Sequence, residues 1–262
     1  MADVNQIAEY LITNRLRQQV VDNIPEAIYP GSEAEAYQVQ ERLVSRLTGK
    51  YNSRVCGYKL ACTNTMAMEL LGVAGPFSGR LMSHSTHSDG VALPADDFVR
   101  RVVELEFAFV MDRDVPDTAE AFSAQTIEQY IGGFIPGIEV VDHCFRDFTR
   151  VGGNALIADN AIHGASILGT PVTDWQSMDL SQHLVRLMVN DKLFSQGSGN
   201  NVLGSPLNAM AWLANHLQAR GSALKSGDLV TTGTACEVYN AKADDSITAD
   251  FGELGSVLVS FT

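Results

Sequence analysis

Basic side chains are scarce in this sequence: 18 Lys and Arg stand against 31 Asp and Glu, a formal charge of -13 over 262 residues. A surface of that sign repels a phosphate backbone, and no basic run reverses it locally, which argues against a nucleic-acid partner. Long apolar runs are missing as well. No stretch approaches the ~20 residues a membrane helix needs, and the opening Met1-Ala-Asp-Val-Asn lacks the basic-then-apolar order of a signal peptide. The expectation is a cytoplasmic protein without a membrane partner. Cysteine is sparse: Cys56, Cys62, Cys144 and Cys236 show no two-residue spacing, so neither a zinc knuckle nor a disulfide framework is indicated. Glycine loops are present, but Gly197-Ser-Gly-Asn-Asn lacks the third glycine of a dinucleotide fingerprint, and no Gly-Lys-Ser/Thr follows any of them. Gly75-Pro-Phe-Ser-Gly79 has the wrong spacing for a serine nucleophile elbow.

What is present is ordinary globular composition, 45% hydrophobic and 19% charged, enough for one large domain. The first third reads as helical. Val4, Ile7, Ala8, Leu11 and Ile12 recur at helical spacing behind Asp3. Ala36, Val39, Leu43 and Leu47 do the same behind Ser32 and Glu35, and a shorter helix is predicted from Thr65 to Leu71, stopped by Gly72. From Val99 onward, short β-rich runs take over: Val102–Met111, Ile138–Val141, Leu184–Val189, Leu229–Thr232, Ile247–Phe251 and Val257–Phe261. Turn signals at Asn190-Asp191 and Gly252-Glu-Leu-Gly255 join neighbouring runs as hairpins, which predicts largely antiparallel pairing. One further helix is predicted, capped by Ser205, with Pro206 at its first position and Gly221 beyond its end. The fold class is therefore α+β, a mixed and largely antiparallel β-rich core (residues 76–262) with an N-terminal helical part (residues 1–75).

The chemistry concentrates in Arg100-Arg-Val-Val-Glu-Leu-Glu-Phe-Ala-Phe-Val-Met111. Residues two apart in a strand share a face, so Glu104 and Glu106 project together, roughly 6 to 7 Å apart along the chain. Burying two carboxylates side by side costs several kcal/mol each unless a cation neutralises both. A third acid, Glu139, leads an apolar run after Pro136-Gly137, read here as a turn. Three carboxylates without a matching cysteine or histidine cluster suit a hard, oxygen-liganded ion, Mg2+ or Mn2+ rather than zinc. The competing reading places Glu104 and Glu106 in water on an edge strand, with Arg100 or Arg101 beside them. His84 and His87, in a serine-rich stretch, read as an exposed loop or lid, and His143, His183 and His216 form no constellation.

Gly57-Tyr-Lys-Leu60, Glu104-Leu-Glu106 followed by Asp112-Arg-Asp114, Pro136-Gly-Ile-Glu-Val-Val141, Arg146-Asp147, Ala158-Asp-Asn-Ala161, Gly199 to Gly204 with Ser205-Pro-Leu207, Trp212-Leu-Ala214 and Gly252-Glu-Leu-Gly255 occur in one order over nearly the whole chain. In this it resembles the 2-keto-4-pentenoate (2-hydroxypenta-2,4-dienoate) hydratases and the 4-oxalocrotonate decarboxylases of the fumarylacetoacetate hydrolase superfamily. The resemblance implies a core of the fumarylacetoacetate hydrolase C-terminal type, homo-oligomeric assembly and a divalent metal held by Glu104, Glu106 and Glu139. The implied substrate is a small 2-oxo acid or dienol from aromatic ring cleavage, chelating a Lewis-acidic ion that stabilises an enolate. It also implies that Lys59 faces the metal and moves a proton or holds the substrate carboxylate, where a lysine taken alone would be a surface group with a half-covered stem. Asp159, Gly233 and Thr234 are weaker candidates for shaping the substrate pocket.

Two positions depart from the family pattern. Phe77 stands where many hydratases carry an acid between a proline and a Phe-Gly pair, and His163 stands where a small hydroxyl residue is usual. The expectation is that His163 takes over the proton transfer that the acid would serve. Water addition is the reaction expected. Decarboxylation, tautomerisation, acylpyruvate carbon–carbon hydrolysis and a non-catalytic assembly subunit are the alternatives.

Overall fold

The computed structural model describes residues 3–262. Two helices open the chain, α1 (Val4–Arg17) and α2 (Glu33–Lys50), and each starts where a short polar side chain takes an otherwise unpaired amide. Asp3 accepts from Asn5 N and Ser32 accepts from Glu35 N. The helical reading of the first third then breaks. Val55–Ala61 is a strand, β1, followed by α3 (Thr65–Leu71) and by β2 (Phe77–Met82), β3 (Thr86–Ser88) and β4 (Val91–Leu93). The remainder runs β5 (Val102–Met111), α4 (Ala124–Glu128), β6 (Ile131–Val141), α5 (Gly153–Ala158), β7 (His163–Leu168), β8 (Leu184–Val189) and β9 (Lys192–Ser198). It closes with α6 (Pro206–Ala219), β10 (Leu229–Thr234), β11 (Tyr239–Asn240), β12 (Ser246–Asp250) and β13 (Ser256–Phe261).

The strands form two sheets. The larger has the order β2-β1-β10-β5-β6-β7-β3, with β11 beside the start of β5; the smaller is β4-β13-β12-β8-β9. Pairing is antiparallel except for β1 with β10, β3 with β7 and β4 with β13, which agrees with the mixed, largely antiparallel expectation. The Asn190-Asp191 hairpin is as predicted, with both residues at positive φ as a two-residue turn of the favoured hand requires. The expected turn at Pro136-Gly137 is not a turn. β6 runs straight through it: Pro136 sits where the β6–β7 ladder ends, its carbonyl takes Gly169 N at 2.9 Å, and the proline costs only the one reciprocal bond at that end.

One face of the large sheet, carrying Leu60, Leu105, Phe107, Phe109 and Val140, packs on the small sheet and α6 in the main core. Strand alternation sends the intervening residues to the other face. There Ala61, Phe77, Val102 and Val141 meet α1, α2 and α5 in a second apolar cluster. The sheet is also strongly curled. β2 and β3 are its two edges, yet only Ser83, His84 and Ser85 join them, a reach of at most about 14 Å. Seven strands laid flat would separate those edges by about 29 Å. Curling makes the helix-facing side concave, and β1 and β6 confront each other across it. His84 and His87 therefore lie in a closing link and an edge strand rather than a loose loop, and His84 stacks on Tyr51 with centroids 4.4 Å apart.

His216 on α6 is sandwiched between Trp212 and Tyr37, at 4.6 and 5.2 Å between centroids, and burial pushes its pKa down to about 4 with help from Arg220. A histidine depressed in the folded state contributes stability above its unfolded value of 6.5 and loses it as pH falls toward 4. The melting temperature of the wild-type protein is thus expected to drop relative to His216→Phe as pH is lowered from 7.5 to 4.5. A constant difference across that range would contradict the buried neutral imidazole.

Candidate metal centre

Register places the three carboxylates. Glu104 lies directly opposite Glu139 on adjacent strands β5 and β6, and Glu106 is two residues along β5, opposite Gly137. All three point to the concave face, where one oxygen from each lies within 4.8 Å of the others. Glu106 and Glu139 are 0% exposed and Glu104 is half-buried, so the wet edge-strand reading fails: β5 is an interior strand. Lys59, on β1, reaches across the concavity with 1% exposure and sets its Nζ 3.1 Å from Glu139 Oε1 and 3.1 Å from the Ala161 carbonyl. It is not a surface lysine.

The cluster is out of charge balance. Burial and mutual repulsion push the Glu104 pKa up to about 7, and burial together with Glu139 pushes that of Glu106 well above the carboxylate range. Burial raises Glu139 too, against the attraction of Lys59. Burial alone would lower the lysine, but Glu139, Glu104 and Glu106 together hold its pKa above the usual value. With every acid ionised, one ammonium leaves two negative charges uncompensated. Glu106 Oε1 and Glu139 Oε2, both buried, have no hydrogen-bond partner among the described residues. A divalent cation would supply the missing charge and use those oxygens, and a set of carboxylates alone matches Mg2+ or Mn2+. The residues fit the ion.

His163, first residue of β7, places Nδ1 2.9 Å from Glu139 Oε1. The ring is sealed from solvent, its Nε2 is unpartnered, and burial with the charges of Lys59 and Arg15 depresses its pKa well below normal. A neutral imidazole would donate from Nδ1 to an ionised Glu139 and so brace it. Gly233 donates its N–H to Glu106 Oε2 at 2.5 Å. Its φ is +98°, and a Cβ there would sit 1.9 Å from Thr63 Oγ1, so only glycine can present this amide. Gly233→Ala is expected to cost roughly 3 kcal/mol or more in urea unfolding and to weaken divalent-ion binding. The β10–β5 register shifts between Thr231 and Thr234, and a variant of wild-type stability would show that this irregularity does not depend on glycine.

Of the other two candidates, Asp159 lies outside this constellation, whereas Thr234 is the register partner of Glu106. Asp159 is 3% exposed, and its carboxylate is taken by Arg15 at 3.0 Å; Thr234 Oγ1 donates to the Cys236 carbonyl. Phe77 is buried in the apolar cluster under the helices and brings no titratable group to the face. Reading the sequence missed three hydroxyls, Thr63, Thr231 and Ser166, all buried and unpartnered. Thr231 is the register partner of Lys59, and Ser166 is that of Glu139. Only the pairing reveals these two, and only the closeness to Gly233 reveals Thr63, since threonine and serine carry no distinguishing spacing here. Beside them Ala108, Ile135 and Leu168 form a small apolar floor. The concavity thus joins an anionic end to an apolar one.

A sequence profile described as "Fumarylacetoacetate (FAA) hydrolase C-terminal" matches residues 66–261. A 2-keto-4-pentenoate hydratase from Paraburkholderia phymatum is 32% identical over 270 residues, covering 100% of both chains. A 2-hydroxyhexa-2,4-dienoate hydratase from Comamonas testosteroni is 29% identical, covering 98% of this chain and 95% of its own. Among solved structures, 4-oxalocrotonate decarboxylase from Pseudomonas putida G7, complexed with magnesium and adipate, superposes with a TM-score of 0.91 at 25% identity, over 99% of this chain and 97% of that one.

Proposed function

Since the chain belongs to the fumarylacetoacetate hydrolase superfamily, in its group of 2-keto-4-pentenoate hydratases and 4-oxalocrotonate decarboxylases, we propose that it is a divalent-metal-dependent lyase adding water to a 2-hydroxydienoate or 2-oxo-enoate from aromatic ring cleavage. The observation that carries this is the clustered triad Glu104, Glu106 and Glu139, with Lys59 reaching across the fold to 3.1 Å from Glu139. The three carboxylates would hold Mg2+ or Mn2+, which when bound supplies Lewis-acid polarisation of a 2-oxo acid.

The chain's own groups do the rest. An ammonium has three donors, and Lys59 commits two of them, to Ala161 and Glu139, leaving the third for a substrate oxygen or for proton delivery. Thr63, Thr231 and Ser166 offer hydroxyls to orient a polar head or a water, and Ala108, Ile135 and Leu168 exclude solvent from the carbon chain. His163 serves Glu139 as a brace in this reading, and the proton transfer falls to Lys59. Gly233 holds Glu106. Assembly as a homo-oligomer is part of the same proposal, supported by edge strand β9, which leaves Leu193 and Phe194 exposed.

Decarboxylation is the second reading, favoured by Phe77: with an apolar ring at that position, the face lacks the acid that water addition uses in many hydratases. Absorbance of 2-hydroxypenta-2,4-dienoate with the purified protein, with and without Mg2+ and with products identified by mass, decides between them. Metal-dependent loss of the chromophore with gain of one water supports the hydratase. No change there, with loss of carbon dioxide from a 2-oxo dicarboxylate, selects the decarboxylase, and inertness toward both sinks the lyase reading.

A further inference from the structure

Three consecutive residues just before His163, none of them glycine, have left-handed backbone: Asn160 at φ 56°, Ala161 at 51° and Ile162 at 53°. Asparagine tolerates this region, but a β-branched isoleucine there is an outlier, and a run of three persists only where its surroundings over-determine it. Those surroundings can be named. Arg15, on α1, sends its guanidinium to both ends of the turn. It donates to the Asp159 carbonyl at 3.3 Å and carboxylate at 3.0 Å on one side, and to the His163 carbonyl at 2.8 Å on the other. The Asn160 side chain ties the middle to β2, accepting from Arg80 N at 2.7 Å and donating to Arg80 O at 3.0 Å.

Held between these anchors, the turn aims two groups at the site. The Ala161 carbonyl accepts from Lys59, and the His163 ring meets Glu139. We propose that Arg15 is a positioning residue for Lys59 and Glu139, acting through the left-handed turn that its guanidinium bridges. The inference rests on the reading of the triad as a divalent-metal site. It makes α1, far from the triad in sequence, part of the machinery that sets the site's geometry. Only a planar fork can grip both ends at once; a lysine offers a single point of charge.

Arg15→Lys keeps a cation opposite Asp159, so the fold should survive, but it gives up the bridge. Amide hydrogen exchange over residues 159–163 is expected to accelerate at least about tenfold, with β5 and β12 unchanged, and Mn2+ binding by calorimetry to weaken about tenfold. Adding Ala161→Gly, which makes left-handed backbone inexpensive, should bring the Mn2+ affinity back to within about twofold of wild type. If exchange in Arg15→Lys is unchanged while wild type binds Mn2+ normally, this inference fails alone. An affinity loss that the glycine does not relieve also overturns it, since Arg15 would then act by packing. A wild-type protein that binds no Mn2+ sinks the metal reading, and this inference with it. Should Arg15→Lys not fold, Asp159→Asn, which keeps size and loses the ion pair, is read in the same way.

Discussion

Replacing Glu106 with glutamine is expected to lower metal-dependent turnover at least about 100-fold while raising, not lowering, the melting temperature of the metal-free protein. The two effects have opposite signs because, as a proposed ligand, the residue would serve the ion while it burdens the apoprotein. Without a cation, Glu106 is fully buried, carries a pKa held far above the carboxylate range, and leaves Oε1 without a partner. A carboxylate raised in the folded state detracts from stability at any pH above its unfolded value of 4.5, because it ionises more readily on unfolding, so at pH 7 replacing it by a group that does not titrate is a gain. Glutamine preserves the shape, and its carbonyl can still accept from Gly233. With Mg2+ present the order reverses: wild type gains a ligand-linked increment in melting temperature, and the variant gains little. Thermal scans with EDTA and with Mg2+, run beside turnover, separate these effects. A variant with full activity, or one whose apoprotein melts several degrees lower, would sink the assignment of Glu106 as a metal ligand.

Part of this site is legible in the sequence because strands have a period of two. Glu104 and Glu106 share a face wherever β5 is placed, and an apolar run around two acids already demands a counter-charge. The capping residues Asp3, Ser32 and Ser205 are legible for a similar reason, since each acts on an amide two or three residues away. What the sequence withholds is non-local. Nothing near Glu139 announces that it faces Glu104, and nothing near Lys59 places it in a strand parallel to β10, a pairing with more than 160 residues between its partners. Local signals can also mislead. Pro136-Gly137 has the composition of a turn but lies inside β6, because the strand beside it stops one residue short. The Asn160–Ile162 turn has no sequence signature, since alanine and isoleucine in left-handed backbone contradict their own preferences and are held there by Arg15 from the far end of the chain.

The hydroxyls and the histidine follow the same division. Thr231 and Ser166 gain meaning only as neighbours of Lys59 and Glu139 in register. His163 is conspicuous in sequence because a titratable ring suggests proton transfer. Its burial and its contact with Glu139 favour the supporting role proposed above, and only the three-dimensional position brings that alternative into view.

Lys59→Met tests the other half of the charge balance. Methionine matches the length and apolar stem of lysine, so packing should hold, but three clustered carboxylates, two of them fully buried, then face one another without a cation. Breaking one side of a buried ion pair typically costs about 3–5 kcal/mol, which for a chain of this size lowers the apo melting temperature by roughly 5–10 °C. The stripped triad should bind a divalent ion more tightly than wild type, because no ammonium competes for Glu139. The increment in melting temperature on adding Mg2+ should therefore be larger than in wild type. Turnover should nevertheless fall about 100-fold or more, since the free donor that Lys59 offers the substrate is gone. Tighter metal with lost activity is a combination that global unfolding cannot produce. If Lys59→Met instead lost the metal response together with activity, the lysine would be holding the carboxylates in place rather than competing with the ion for them.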